Sequence, residues 1–229
     1  RFAGIGGLII IGGDGSFRGA LHLHRLGIRV MCLPGTIDND IGCTSYTIGF
    51  DTALNTAIEA VDRLDDTMQS HERCSVVEVM GHKSGHLALR VSLAAGAIAT
   101  LIPERKPNLP EAVARIRDSR LAGRTHFTVI VAEGVMDPRE TARILYAETG
   151  VETRVTTLGH LQRGGTPGAR DRVTAARMGY EAVRLLRSGQ AGMVVCMQGD
   201  ELTSTDIEAA LKIKKAPERE IIDQLAFNL

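Results

Sequence analysis

A glycine-rich segment with one acid, Gly12–Ser16 (GGDGS), follows the apolar run Gly7–Ile11 and precedes a helical stretch from about Phe17. Glycines let the backbone approach phosphate oxygens, and a helix N-terminus supplies free N–H groups. Asp14 would repel phosphate unless it meets Mg2+, which bridges phosphate oxygens in phosphoryl transfer. The segment predicts a nucleotide-phosphate site; a tight turn in which Asp14 has an Asx or helix-cap role is the alternative. It has neither the GxxxxGK[ST] nor the GxGxxG pattern, so a P-loop is excluded and a dinucleotide site is poorly supported.

A second polar loop, Pro34–Asp40 (PGTIDND), follows the next predicted strand, Ile28–Leu33, and should therefore lie beside the first loop. Phosphoryl transfer to a hydroxyl needs a group that orients the alcohol and accepts its proton, and aspartate does this in protein kinases. We predict Asp38 as this base, with Thr36 as its hydrogen-bond support and Asp40 reaching toward the metal. An ordinary turn rich in Asp and Asn is the alternative.

A basic segment, Gly159–Gly165 (GHLQRGG), precedes a third helical stretch, with Arg154 upstream and Arg73 just before a predicted strand. Arginine binds phosphate through paired hydrogen bonds, and histidine can donate another. These residues predict a second phosphate pocket, although solvated surface arginines are the alternative. Glu133 ends a strand, where it either accepts hydrogen bonds from sugar hydroxyls or pairs with an arginine.

The composition excludes several classes of function. The 229 residues carry 27 basic and 27 acidic side chains, so no global field favours nucleic acid or an anionic membrane. Trp is absent and aromatic residues are 3% of the chain, which argues against base stacking. We see no secretory leader and no apolar run long enough to cross a bilayer. Because the four cysteines show no CxxC spacing, we expect reduced structural thiols in a cytoplasmic protein.

Strand-like and helical stretches alternate along the chain, which predicts an α/β fold with mainly parallel sheets covered on both faces. The predicted strands are Gly7–Ile11, Ile28–Leu33, Ser75–Val79, Thr128–Ala132 and Met193–Met197. A helix is predicted from about Asp171 to Arg187. Its predicted inward side chains are Val173, Ala176, Tyr180, Val183 and Leu186.

Four segments occur in the order and spacing of one family: Gly12–Ser16, Pro34–Asp40, Val77–Gly81 and Leu158–Gly165. Together they resemble the bacterial-type ATP-dependent 6-phosphofructokinases over essentially the whole chain. The resemblance implies transfer of the γ-phosphoryl group of ATP to the C1 hydroxyl of fructose 6-phosphate, giving fructose 1,6-bisphosphate and ADP in glycolysis. It also implies Mg2+, ATP as co-substrate, and a homotetramer with active sites shared between subunits.

The resemblance implies a phosphofructokinase fold of two three-layer α/β/α (Rossmann-like) domains. Residues 1–48 and 162–212 would form the ATP-binding domain, and residues 49–161 and 213–229 the domain for fructose 6-phosphate and effectors. The family begins with a further glycine-rich strand and loop that holds ATP phosphate, and this chain begins at Arg1. We therefore expect a fragment whose first domain is incomplete and which alone is inactive or barely active.

The family's functional residues map onto matching positions. Gly13, Asp14, Gly15 and Ser16 would contact ATP, with Asp14 at the magnesium. Asp38 would be the base, and Thr36 would help to hold the sugar phosphate and the transferring group. Arg73 and Arg154 would reach the substrate of a neighbouring subunit. The implied substrate-binding residues are Thr36, Ile37, Asp38, Arg73, Met80, Gly81, His82, Glu133, Arg154, His160, Leu161, Gln162 and Arg163.

Two positions bear on the phosphoryl donor and one on catalysis. Pyrophosphate-using relatives typically carry an acid where Gly15 stands and a lysine where Gly35 stands, so the resemblance implies ATP as the donor. The family's Met-Gly-Arg has His82 in place of the arginine, which normally supplies positive charge to the transferring phosphoryl group. A neutral histidine supplies less, and Lys83 is the nearest candidate to compensate.

The effector positions also depart from the family. Regulated relatives carry a basic residue at Asp65 and an acid at Ile98, so an effector phosphate would meet repulsion and its metal would lack a carboxylate. This argues against activation by ADP of the family type. Two other functions stay open: a kinase with a GGDG loop that acts on NAD or diacylglycerol, which shares only the first motif, and a non-catalytic regulator that binds sugar phosphates.

Overall fold

The computed structural model describes residues 4–227. The elements in chain order are β1 (Leu8–Gly12), α1 (Asp14–Arg25), β2 (Val30–Pro34), α2 (Phe50–His71), β3 (Cys74–Val79), α3 (His86–Ala95), β4 (Ala99–Leu101), α4 (Leu109–Leu121), β5 (Phe127–Ala132), α5 (Pro138–Thr149), β6 (Thr153–Thr157), a 3₁₀-helix (Gly159–Arg163), α6 (Ala169–Arg187), β7 (Met193–Gln198), β8 (Glu201–Asp206), α7 (Ile207–Ala210) and α8 (Arg219–Phe227). The predicted alternation of strands and helices is confirmed.

The chain divides into two compact units and passes between them three times. The first unit comprises the residues up to Asp51 together with Thr166–Ala216, and the second comprises Thr52–Gly165 with the residues from Pro217 onward. We expected the crossings near residues 48, 162 and 212, so each lies only a few residues later than expected. The assignment of ATP to one unit and sugar phosphate to the other stays a prediction.

The first unit is built on a four-stranded sheet in the order β1-β2-β7-β8. β1, β2 and β7 are parallel, and β8 is antiparallel to β7. Every residue of β2 is buried, as expected for a strand that is covered on both faces. The apolar cluster under α1 contains Phe17, Ala20, Val30, Cys32, Ile41, Cys43, Val194, Cys196, Ile207 and Ala210.

The second unit contains a fully parallel sheet in the order β4-β5-β3-β6. Every residue of β5 is buried, and β3 is buried except at Glu78. Side chains of α4 and α5, including Ile116 and Leu145, share one apolar cluster with these strands. The mainly parallel α/β fold class is thus confirmed.

Three strands that the sequence did not indicate are β4, β6 and β8. Each lies at the edge of its sheet. β4 has only three residues, while β6 (TRVTT) and β8 (ELTSTD) are mostly polar and partly exposed. An edge strand is covered less than a central one, so it lacks the apolar run on which the prediction relied.

The predicted inward face of α6 is wrong. Val173, Tyr180 and Val183 are 57%, 73% and 46% exposed. The buried face carries Asp171, Thr174, Met178, Ala182 and Leu185 instead. Apolar residues occur on two sides of this helix, so periodicity alone could not choose between them. The correct face was missed because two of its buried residues, Asp171 and Thr174, are polar and the prediction followed apolar residues.

All four cysteines are buried and none forms a disulfide, which agrees with structural thiols. Burial raises the pKa of the Cys32 and Cys74 thiols to about 12. The Cys43 and Cys196 sulfurs lie 3.5 Å apart in the core of the first unit. Within residues 4–227, no helix is both long and apolar enough to span a bilayer.

A carboxylate just before α8 joins that helix to α3. Glu218 Oε1 lies 3.2 Å from Nδ1 of His86, and Arg90 donates to Glu218 Oε2 at 2.8 Å. The side chain of His86 is 2% exposed and that of Glu218 is 20% exposed. Burial by itself would raise the pKa of Glu218, but the hydrogen bonds from His86 and Arg90 outweigh burial and lower it to about 2.

We expect Glu218→Gln to lower the free energy of opening of α8 by roughly 1–3 kcal/mol at pH 7, because a hydrogen bond to a charged group contributes on this scale. Because the folded pKa is depressed, this stabilisation is complete above the usual carboxyl pKa and is lost as the pH falls from about 4.5 toward 2. Amide hydrogen exchange of residues 219–227, corrected for intrinsic rates, measures it at pH 7 and pH 3. Glu220→Gln, an exposed position on the same helix, is the control. If the opening free energy of α8 differed between variant and wild type by the same amount at both pH values, the role of the Glu218 carboxylate would be contradicted.

Candidate active site

The two polar loops lie side by side at the carboxyl ends of β1 and β2. Gly12 is in register with Pro34 in the parallel pair, and the backbone N–H of Gly35 donates to Gly12 O at 3.0 Å. A Cβ atom on Gly35 would lie 2.7 Å from Cγ2 of Ile11 and 3.5 Å from the Gly12 nitrogen. Glycine at position 35 therefore permits the close approach of the two loops, and the predicted neighbourhood is confirmed.

Asp14 is the first residue of α1 and does not cap it. The N-cap is Gly13, which has extended backbone and makes no side-chain cap hydrogen bond. The Asp14 side chain is 57% exposed, with the Arg18 guanidinium 4.0 Å away. The alternative in which Asp14 serves as a helix cap is therefore wrong. The unsatisfied N–H groups of this turn are suited to bind an anion.

The hydroxyl of Thr36 holds Asp38 from two sides. It donates to Asp38 Oδ2 at 3.1 Å and accepts from the Asp38 backbone N–H at 3.2 Å. The loop is fixed in turn by the buried Thr47, whose hydroxyl donates to Thr36 O at 2.7 Å. Gly13 lies next to this pair, since a Cβ atom built on it would be 3.9 Å from Cβ of Thr36. The hydrogen-bond support that we predicted between Thr36 and Asp38 is present in the structure.

The donor set beside α1 fits a magnesium ion that is held mainly by a nucleotide. Within residues 4–227, no group of three or more His, Cys, Asp or Glu side chains is arranged to hold a metal. Mg2+ commonly takes one or two protein carboxylates, with phosphate oxygens and water completing its octahedron. The exposed carboxylate of Asp14, at a helix N-terminus suited to phosphate, provides such a partial site.

In the second unit, residues after β3, β5 and β6 meet at the carboxyl edge of the sheet. Glu133 Oε1 accepts from the backbone N–H groups of Gly81 at 3.2 Å and His82 at 2.6 Å. Gln162 is buried; its amide oxygen accepts from Met80 N at 3.1 Å and its nitrogen donates to Gly159 O at the same distance. Glu133 and Gln162 thus set the shape of the loop at Met80–His82. No pattern in the sequence indicates this backbone role; Glu133 was predicted to accept hydrogen bonds from sugar hydroxyls or to pair with an arginine.

The backbone at Gly81 and His82 has unusual dihedral angles. Gly81 has φ of 156° and His82 has φ of 55°, in the left-handed region that few side chains adopt. A Cβ atom on Gly81 would overlap the carbonyl oxygen of Ser84. The exposed side chains of His160, Leu161 and Arg163 lie in the 3₁₀-helix that follows β6.

Arg73 and Arg154 lie at the amino ends of the strands of the same sheet. Arg73 immediately precedes β3, and Arg154 is in register with Ser75 near the start of β6. Both guanidinium groups pair with Glu152; the Arg73 Nε–Glu152 Oε2 distance is 2.8 Å. The Arg73 hydrogen bond lowers the pKa of Glu152. These arginines are separated from Glu133 and Gln162 by the strand length, about 15–20 Å at 3.3 Å per residue.

The structure therefore gathers the predicted site residues into three groups. The first unit holds Gly13, Asp14, Gly15 and Ser16 at the N-terminus of α1, and Thr36, Ile37 and Asp38 on the adjacent loop. One edge of the second sheet holds Met80, Gly81, His82, Glu133, His160, Leu161, Gln162 and Arg163. Arg73 and Arg154 form the third group and do not join the second. That separation agrees with the expectation that they serve a neighbouring subunit, which stays a prediction.

The family model for phosphofructokinase matches residues 1–186. The chain belongs to the phosphofructokinase family. An ATP-dependent 6-phosphofructokinase of Clostridium botulinum is 48% identical over 220 residues, which are 96% of this chain and 69% of that relative. An ATP-dependent 6-phosphofructokinase of Lysinibacillus sphaericus is 50% identical over 212 residues, 93% of this chain and 66% of that relative.

Solved structures of phosphofructokinases share the fold. Phosphofructokinase from Saccharomyces cerevisiae superposes with a TM-score of 0.85 at 30% identity, over 98% of this chain and 34% of that one. A pyrophosphate-dependent phosphofructokinase from Nitrosospira multiformis superposes with a TM-score of 0.83 at 21% identity, over 96% and 67%. The fold is thus shared with a relative named for pyrophosphate, while the two sequence relatives are named for ATP, so the donor must be argued from individual residues.

Proposed function

We propose that the protein transfers the γ-phosphoryl group of ATP to the C1 hydroxyl of fructose 6-phosphate, giving fructose 1,6-bisphosphate and ADP. One observation carries the proposal. Asp38 is oriented by Thr36 and lies on the loop next to the glycine-rich N-terminus of α1. A base for an alcohol and an anion site for a nucleotide are therefore adjacent in a chain about half identical to enzymes named for this reaction.

Asp38 is proposed to orient the C1 hydroxyl and to accept its proton as the oxygen attacks the γ-phosphorus. The bond from phosphorus to the β,γ-bridging oxygen breaks, and ADP leaves. The hydroxyl of Thr36, already hydrogen-bonded to Asp38 Oδ2, keeps the carboxylate in position. Most of the acceleration comes from positioning and electrostatics rather than from covalent chemistry.

The nucleotide phosphates are proposed to lie against Gly13–Ser16, where the first-turn N–H groups of α1 supply positive potential. Asp14 would hold the nucleotide-bound Mg2+. When bound, that ion would neutralise charge on the phosphate oxygens. Asp14 serves here as an anchor on a rigid helix and takes no part in proton transfer.

The sugar phosphate is proposed to bind at the carboxyl edge of the second sheet. His160 and Arg163 are exposed there and are suited to its phosphate group, while Gln162 and Glu133 fix the loop beneath it. Arg73 and Arg154 are proposed to complete the pocket of a neighbouring subunit in a homotetramer. Glu152 pairs with both arginines at the amino ends of the strands, where they would contact the substrate bound to a second copy of the chain.

The test measures fructose 1,6-bisphosphate formation with ATP and, in parallel, with pyrophosphate. It is run on the natural protein that contains these residues. We expect turnover with ATP and none with pyrophosphate. Absence of turnover with either donor would contradict the proposed function. Binding of fructose 6-phosphate without turnover would favour a regulator, and His82→Arg would then be the first variant to make.

A further inference from the structure

A short segment between α7 and α8 lies against the loop that carries Asp38. Ile41 and Lys214 form an isolated antiparallel bridge. Gly42 is so close to this segment that an added Cβ atom would overlap the carbonyl oxygen of Ile213. The backbone of residues 213–215 therefore packs directly on the continuation of the Asp38 loop, and both belong to the first unit.

The ammonium group of Lys215 makes three hydrogen bonds to this loop. It donates to Asn39 Oδ1 at 2.8 Å, to Thr44 O at 2.9 Å and to Ser45 O at 3.2 Å. An ammonium group has three protons, so its donor capacity matches this cage of oxygens. The acceptors lie at both ends of residues 39–45, so the Lys215 ammonium group links the start of this loop to its end.

The residue next to Asp38 is buried and has a left-handed backbone conformation. Asn39 is 1% exposed and has φ of 50°, in the left-handed region. Its Oδ1 is also 3.4 Å from the hydroxyl of Thr47, which donates to Thr36 O at 2.7 Å. Because this hydroxyl has a single proton, its contact with Asn39 is not a second full hydrogen bond. Asn39 directly follows Asp38 in the chain, so the anchoring of its side chain by Lys215 constrains the backbone that carries the Asp38 carboxylate, which Thr36 orients.

We propose that Lys215 is a positioning residue for the phosphoryl transfer, because its ammonium group fixes Asn39 and thereby the direction of the Asp38 carboxylate. The proposal rests on the proposed function. Lys215 contacts the loop at Asn39, Thr44 and Ser45, and in this proposal it acts through Asn39 without touching a substrate. Its removal leaves a buried amide oxygen and two loop carbonyls without their donor, so the loop relaxes toward other conformations.

The kinetic experiment compares Lys215→Met, Lys215→Arg and the matched control Lys214→Met in the natural protein. Lys214 is the adjacent lysine, and its side chain is exposed. For Lys215→Met we expect kcat to fall about 10- to 100-fold, since displacement of a catalytic group by about 1 Å has effects of this size. KM for both substrates should change by less than about 3-fold, because a residue behind the loop contributes no uniform binding. Lys215→Arg keeps the charge and the donors but places them on a larger planar group, so it should recover part of the lost kcat.

A second readout does not depend on activity. Amide hydrogen exchange of residues 36–47 should be about 10-fold faster in Lys215→Met, while exchange in β7 stays unchanged, because only the loop loses its support. If the wild-type protein shows no kinase activity, the proposed function fails, and the exchange rates alone decide whether Lys215 orders the loop. Unchanged exchange in residues 36–47, or a kcat within about 2-fold of wild type, would overturn the proposal. Faster exchange throughout the first unit would also overturn it, by making Lys215 a general stabilising residue.

Discussion

Asp38→Asn should lower kcat for fructose 6-phosphate phosphorylation by at least ~100-fold, the scale on which general base catalysis contributes. An amide keeps the size of the side chain and can still accept from the hydroxyl of Thr36, as Asp38 Oδ2 now does at 3.1 Å. It cannot accept the proton of the attacking C1 hydroxyl. The loss should therefore appear in kcat, with direct binding of ATP and fructose 6-phosphate nearly unchanged.

Thr36→Val tests the support of Asp38 by the Thr36 hydroxyl while the Asp38 carboxylate itself is retained. Removing the hydroxyl takes away both the donor to Asp38 Oδ2 and the acceptor of the Asp38 backbone N–H. The carboxylate itself remains, so a smaller loss of kcat is expected than for Asp38→Asn. Steady-state rates and equilibrium binding of each substrate measure the two effects. A kcat for Asp38→Asn within about 10-fold of wild type would remove Asp38 from the role of base.

The sequence was sufficient to predict the loops of the first unit because local chemistry and strand order determine them. Gly12–Ser16 and Pro34–Asp40 each follow an apolar strand, and neighbouring parallel strands bring their carboxyl ends together. The helix after the first loop and the support that Thr36 gives to Asp38 follow from spacings of a few residues. Such short-range relations are visible in a single sequence.

Contacts between distant parts of the chain could not be predicted in the same way. Glu133 accepts from the backbone of Gly81 and His82, about 50 residues earlier, and no pattern in either segment indicates the pairing. Asp171 is 2% exposed and accepts from the hydroxyl of Tyr46 at 2.5 Å, although an aspartate is expected on a surface. Tertiary partners make such buried polar groups stable, and those partners are known only once the chain is folded.

Gly15→Asp should reduce kcat/KM for ATP by about 100-fold or more, because a carboxylate would lie beside the nucleotide phosphates. Two unit charges about 4–5 Å apart at the effective dielectric near a protein surface repel by roughly 3–4 kcal/mol. The fold itself should tolerate the change: no atom lies within 4 Å of a Cβ built at Gly15, and its backbone has no positive φ.

Gly19→Asp is the matched control, since Gly19 is one turn further along α1 and is equally open. Both substitutions replace a helical glycine by the same acid, so the change in net charge is shared. An acid in the first turn also gains from the helix dipole, so a loss confined to Gly15→Asp cannot come from a weaker helix. We expect Gly19→Asp to leave kcat/KM for ATP within about 3-fold, because the interaction is screened and weaker at the greater distance from the phosphates. Initial rates at varied ATP and fixed fructose 6-phosphate measure both variants. An equal loss in the two variants would mean that the effect comes from the helix as a whole, and the nucleotide phosphates would then have to be sought away from Gly13–Ser16.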